Sequence, residues 1–315
     1  MPFHRSRRHI ACSVALLLSL AAPAAWATPQ PAPPGGPLTQ FEAHDPNAEV
    51  SVYYDVWANI LSTVMEEKAG RVEPNYGGLG QTGREAIDIV LTEWQGIKVT
   101  ALGRDEQLAY WLNLYNLASL KIMFETFAST AKASQDIAGR NPWANDKFNV
   151  KRFYTAEGNP WATPMLTVEG VSLSLNDIEH RILYAFWPAE QVLYGLGCPV
   201  RGCPDLPLKP YAPAVVHKQL AAAATRFVAD PENAKLKGTA VRLSELYRWH
   251  QGVLGGEAKV LEHVTKLAGR RLAGATSISG YDFDWKLAGK QPPANWTMPR
   301  GQMNRGAGAG GMISE

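Results

Sequence analysis

The chain has 315 residues, of which 46% are hydrophobic and 19% charged, with 22 Pro, 28 Gly, 3 Cys and a formal net charge of +2. Ten Trp and eleven Tyr demand a buried core, which excludes wholesale disorder. Three cysteines are too few for a miniprotein held together by disulfides.

Arg5, Arg7 and Arg8 precede the apolar run Ile10 to Ala22, and Ala25-Trp26-Ala27 offers small residues at a cleavage site. This pattern predicts a secretory signal peptide over residues 1–27. The apolar run is shorter than the roughly 20 residues that span a bilayer. Cys12 precedes the leucines, the wrong place for lipid acylation. Removing the three arginines of this segment leaves 28 basic residues against 29 acidic ones, a net charge of −1. The expectation is therefore an exported, periplasmic or secreted protein with no membrane span after signal cleavage. No basic stripe remains, so no nucleic-acid partner is expected.

Residues 28–39 read as a Pro-rich linker, 40–295 as a single globular domain and 296–315 as a Gly-rich disordered tail. Val56, Ile60 and Val64, with Trp57 and Leu61, form an apolar stripe at helical spacing. Ile87, Val90, Leu91 and Trp94 form a second stripe. A third helix, roughly Asp105 to Phe127, lacks Gly and Pro and is expected to be the spine of the core.

Met165–Val168 and Val171–Leu173 predict a hairpin turning at Glu169-Gly170. Ser174 with Asp177 predicts a capped helix that Pro188 stops. Val192 to Leu196 has the look of a short strand. Gly197 to Pro213, with five prolines and two cysteines, fits neither a helix nor a ladder strand. Helices are expected from about Ala214 to Ala229, at Ser244 to Trp249 and at Glu257 to Ala268, with a strand near Val241 to Leu243. Helices around a few short strands indicate an α+β fold, a mainly helical single domain with a small clustered β-sheet.

Several residues stand out chemically. Asn113 and Asn116 sit mid-helix on one side of the spine, where an amide competes for backbone hydrogen bonds and needs specific partners. They either clamp a neighbouring loop or point into a polar cleft as ligand or oxyanion donors. His180 follows Glu179 on the Ser174-capped helix and suits packing, general-base or ligand roles. A zinc site wants a second His three to five residues away, and none accompanies His180, so no metal is expected. His217, His250 and His263 read as surface or packing residues, and neither a Walker loop nor a dinucleotide fingerprint calls for a cofactor. Cys198 and Cys203 are close enough in sequence for a disulfide across a tight turn. Alternatively, Cys203 is a nucleophile activated by His180, and the two readings exclude each other in the resting state.

Four blocks carry a family resemblance: Tyr110-Trp111-Leu112-Asn113-Leu114-Tyr115-Asn116, Ser174 to His180, Cys198 to Pro204, and Leu243 to Trp249. In this order they resemble the domain-of-unknown-function family numbered 547. The resemblance implies a shared fold and a polar site built from Asn113, Asn116, Glu179, His180 and the cysteine loop, with Tyr115 and Trp111 beside it. It brings no established reaction. Where the family commonly has Asn just before the first cysteine this chain has Gly197, and where it commonly has His five residues before that cysteine it has Leu193.

Two functions follow as expectations. One is a non-catalytic envelope or ligand-binding domain whose polar cluster fixes the Cys/Pro-rich loop, its partner a small molecule or an envelope component. The other is a thiol-dependent hydrolase or acyl transferase with Cys203 as nucleophile, His180 as base, and Asn113 or Asn116 orienting or stabilising charge. The absence of the family's His and Asn weighs against the second.

Overall fold

The structure is a computed structural model that describes residues 33–75, 78, 80–138, 159–198, 200–286 and 288–289. The expected signal peptide, the first part of the linker and the Gly-rich tail lie outside the described residues.

Helix α1 (Asp55–Val64) buries Trp57, Ile60, Leu61 and Val64. Val56, expected on the same stripe, is exposed, because the buried face follows Trp57 rather than its neighbour. A hairpin of β1 (Met65–Lys68) and β2 (Arg71–Pro74) follows, in register Lys68↔Arg71. It turns through Ala69 and Gly70, both at positive φ (51° and 79°). Strand β1 carries no apolar alternation, since Glu66, Glu67 and Lys68 face solvent, and the alternation of β2 spans only four residues. Helix α2 (Gln81–Gln95) buries Ile87, Val90, Leu91 and Trp94, the stripe read from the sequence.

The spine is α3 (Arg104–Ala138), which begins a residue before and ends well after the expected bounds. Asp105 and Glu106 open it, where negative charge complements the helix dipole. Every residue from Glu106 to Leu120 is buried, so α3 runs through the interior rather than along the surface. The polar residues inside that stretch must therefore find partners within the protein.

The predicted hairpin forms as β3 (Leu166–Val168) and β4 (Val171–Leu173), with Glu169 and Gly170 at positive φ. Helix α4 then combines a π-helical stretch, Asp177–Leu183, with Tyr184–Phe186. The expected capping box is reciprocal: Asp177 N–H donates to Ser174 Oγ (3.1 Å), and Ser174 N–H donates to Asp177 Oδ2 (2.9 Å).

The strand expected at Val192 to Leu196 is instead α5 (Ala189–Val192) running into a 3-10 turn, Leu193–Gly195. A run this short carries no readable periodicity. It is buried against helices, with the Gly195 Cα so close to Leu220 and Leu112 that a Cβ would sit 2.6 and 2.8 Å from their methyl carbons. The described residues of the proline-rich segment that follows make no ladder strand. Chain order continues with α6 (Val216–Ala229), β5 (Ala234–Lys237), β6 (Ala240–Ser244), α7 (Glu245–Trp249), α8 (Glu257–Ala268) and β7 (Ser277–Asp282).

The described strands form sheets of two, two and three strands, the last ordered β5-β6-β7 with β6 and β7 parallel. The fold is mainly helical α+β. Two apolar clusters fill it. The larger surrounds α3 with Trp57, Trp94, Trp111 and Trp161; the smaller packs α6 and α8 on β6 through Phe227, Val241, Tyr247, Val260 and Val264. Tyr184 touches both. No helix among the described residues is long and apolar enough to cross a membrane.

Candidate functional site

Asn113 and Asn116 clamp the two ends of the proline-rich segment. Asn116 Nδ2 donates to the Gly195 carbonyl (2.8 Å) and to Leu112 O one turn back (2.7 Å), and its Oδ1 accepts from Gly197 N–H (2.9 Å). Ser119, three residues on, donates to the Gly197 carbonyl (3.1 Å). Asn113 grips the far end, donating to Tyr211 O (2.8 Å) and accepting from Tyr211 N–H (2.9 Å) and the Trp57 indole (3.2 Å). Both amides are fully buried and engaged on their donor and acceptor sides. These hydrogen bonds are those of the loop-clamp alternative: Asn116 donates to two backbone carbonyls and Asn113 to one.

Between the clamps, Cys198 and Cys203 are joined as a disulfide with Cα atoms 5.6 Å apart. Gly202 packs under Phe283, whose ring carbons would lie 2.6 Å from a Cβ at this position. Its backbone bonds to Asp284 O (2.9 Å) and accepts from the Ser244 hydroxyl (3.4 Å). The two departures from the family pattern have structural explanations. Leu193 is buried in the smaller apolar cluster. Gly197 lies so close to α3 that a Cβ would stand 2.9 Å from Asn116 Oδ1 and from Leu206 Cα.

Tyr115 leaves α3 about 100° around from Asn116 and serves a different centre. Its hydroxyl donates to Glu179 Oε2 (3.3 Å). Tyr184 donates to Glu179 Oε1 (3.1 Å), and His250 Nε2 meets the same oxygen at 2.8 Å. His180 Nε2 stands 3.9 Å from Glu179 Oε1. The His180 and His250 rings are nearly parallel (9°) with centroids 6.0 Å apart, and Tyr184 stands edge-on to both. The π-helical turn bears on this geometry: Tyr184 N–H bonds to the Glu179 carbonyl five residues back, so both side chains share one face.

Burial pushes the Glu179 carboxyl up, but His180, His250 and the Tyr184 hydroxyl outweigh it and hold the group below the usual carboxylate range. Burial, and then the neighbouring Glu179 charge, push the Tyr184 hydroxyl well above its ordinary value. Glu179 is thus a buried anion at neutral pH, with the hydroxyls of Tyr115 and Tyr184 donating to it.

The residues singled out in the sequence therefore divide. Asn113, Asn116, Cys198 and Cys203 build the clamped loop; Tyr115, Glu179 and His180 build the carboxylate–imidazole centre. Trp111 is a core residue, packed edge-on against Phe41 and Tyr110. His250, read as a surface or packing residue, is buried beside Glu179 and His180, a neighbour in space that the search for a second His within five residues could not find. Its sequence signal was its place directly after the Leu243–Trp249 block. Ser244 in that block caps α7 by accepting from Leu246 N–H (3.2 Å), which places His250 at the other end of the helix.

The first block holds the third through its amides and the second through Tyr115 and Glu179; the fourth bonds to the third through Ser244 and Gly202, and His250, directly after it, reaches the second. Residues 99–228 match the family described as protein of unknown function, DUF547, a span that covers α3, α4, the disulfide loop and nearly all of α6 but stops before His250. Neither a curated protein nor a solved structure matches the chain.

Proposed function

We propose, for a chain whose residues 99–228 match DUF547, that it is an exported ligand-binding domain in which the cysteine loop is scaffold rather than thiol catalyst. The observation that carries this reading is that the loop's two sulfurs are bonded to each other and both clamping amides are hydrogen-bonded to its backbone. The Cys203 sulfur is bonded to Cys198, and both amides offered as oxyanion donors are bound to backbone on either side of the loop. A sulfur in a disulfide cannot attack a carbonyl. His180, the base of the thiol reading, is arranged around Glu179 and His250 instead. Export, part of the same proposal, would place the bond in an oxidising compartment that preserves it.

Thiol titration of the protein secreted from its own leader, purified without reductant, tests it. The expected result is no free thiol before reduction and two after it. One thiol that reacts rapidly below neutral pH in the unreduced protein, and slowly in a His180→Ala variant, would restore the hydrolase reading.

A further inference from the structure

We propose that Glu179, His180 and His250 form a binding site for a divalent transition-metal ion, with zinc the best fit to their chemistry. The inference concerns a different part of the molecule from the clamped loop, and the two readings fail separately.

Three ligand atoms of the right kinds, two imidazole nitrogens and a carboxylate oxygen, lie within 4.8 Å of one another. Both His180 Nε2 and His250 Nε2 face the same oxygen, Glu179 Oε1, at 3.9 and 2.8 Å. Ligands bound to zinc at about 2.0–2.1 Å in a tetrahedron stand about 3.3 Å apart, a value these two distances bracket. Small rotations of the side chains would thus seat an ion between them.

The tautomer of His250 points the same way. Its Nδ1 lies 2.8 Å from the Leu246 carbonyl, which can only accept, so Nδ1 carries the proton. In the neutral ring Nε2 then presents a lone pair to the Glu179 carboxylate, itself an acceptor. Two acceptors at 2.8 Å need a cation between them, either a metal ion or a second proton on His250. A ring nitrogen held by a backbone carbonyl is the usual support of a metal-bound imidazole. Tyr115 and Tyr184 hold the carboxylate in the matching way, each donating to one of its oxygens.

Access fits as well. Glu179 and His250 are sealed, with side chains 2% and 4% exposed, whereas the His180 side chain, at 13%, is the least enclosed of the three. Three protein ligands with one open side are the pattern of sites that keep a position for water or a small ligand. The ligands come from α4 and from the C-terminal end of α7, 70 residues further on, which is why no local spacing revealed them.

The test uses the full mature chain, untagged and dialysed against chelator, titrated first with Co²⁺ and then with Zn²⁺. One equivalent of Co²⁺ is expected to bind with the visible absorption of a low-coordinate cobalt–imidazole centre, which Zn²⁺ then bleaches. His180→Ala, at a partly exposed position that leaves the core intact, is expected to weaken binding at least about tenfold while the far-UV circular dichroism stays unchanged. A Cys198→Ala/Cys203→Ala variant is expected to bind the metal as before. Absence of saturable binding, or binding unaltered in folded His180→Ala and His250→Ala variants, would overturn the proposal and leave the centre a buried imidazolium–carboxylate pair.

Discussion

At position 197 the chain has no room for a side chain. The Gly197 N–H donates to Asn116, its carbonyl accepts from Ser119, and the backbone lies directly against α3. A Cβ there would press on the Asn116 oxygen that receives the hydrogen bond and on the Leu206 backbone. We expect Gly197→Ala to lower stability by about 1–3 kcal/mol, the usual cost of overpacking a filled site. An unchanged urea midpoint would show that the loop can retreat from α3 without loss. The type of partner that Asn113 and Asn116 need was legible from their place in a long apolar helix. Which loop supplies it was not, because their partners lie about 80 to 98 positions away in sequence.

Among the elements, those with a full turn or more of pattern were readable and those without were not. Helix α8 matches its expected bounds, and the hairpin at Glu169-Gly170 forms because glycine accepts the positive φ of its turn. The β1–β2 hairpin and strand β7 went unnoticed because β1 does not alternate and the alternation in β2 and β7 spans only about four residues, too few to stand out. Helix α8 also carries a titratable contact, since the Tyr194 hydroxyl lies 2.9 Å from His263 Nε2. Burial lowers the His263 pKa below the ordinary 6.5, so the folded protein takes up this proton less readily than the unfolded chain. The associated stability is present above about pH 6.5 and is lost as pH falls through that value towards the folded pKa. Urea midpoints at about pH 7.5 and about pH 5 should therefore differ more in the parent than in His263→Gln. Equal differences would mean that the imidazole does not report on the packing of α8.

Across the whole molecule, Arg71 ties three remote segments together. Its guanidinium reaches Asp230 after α6 (3.1 Å), Asp205 in the proline-rich loop (3.1 Å) and the Arg201 carbonyl (2.8 Å), while Asp205 also accepts from Val72 N–H (2.9 Å). Burial pushes the Asp205 carboxyl up even with Arg71 beside it, so this carboxylate depends on its partner. We expect Arg71→Ala to cost about 2 kcal/mol, more than an exposed ion pair would, because it leaves a largely buried acid unpaired. Thermal unfolding of Arg71→Ala beside Asp230→Ala checks this. The arginine variant should unfold at the lower temperature, and parity between them would place the weight on the α6 contact alone.

The sequence by itself determined what local periodicity and composition can encode: a helical interior, an amide pair that needs partners, a hairpin, a capped helix and a proline-stiffened loop able to carry a disulfide. These depend on residues within a few positions of one another, or on the total of apolar side chains. Only the tertiary structure decided which of the marked residues belong together. It separated Tyr115 from Asn116 by their angle on the helix, closed the cysteines away behind two amides, and brought His250 across 70 residues to the carboxylate of Glu179. Long-range convergence of polar groups leaves no repeat in the chain, because each group answers to a partner's position in space rather than to its own neighbours.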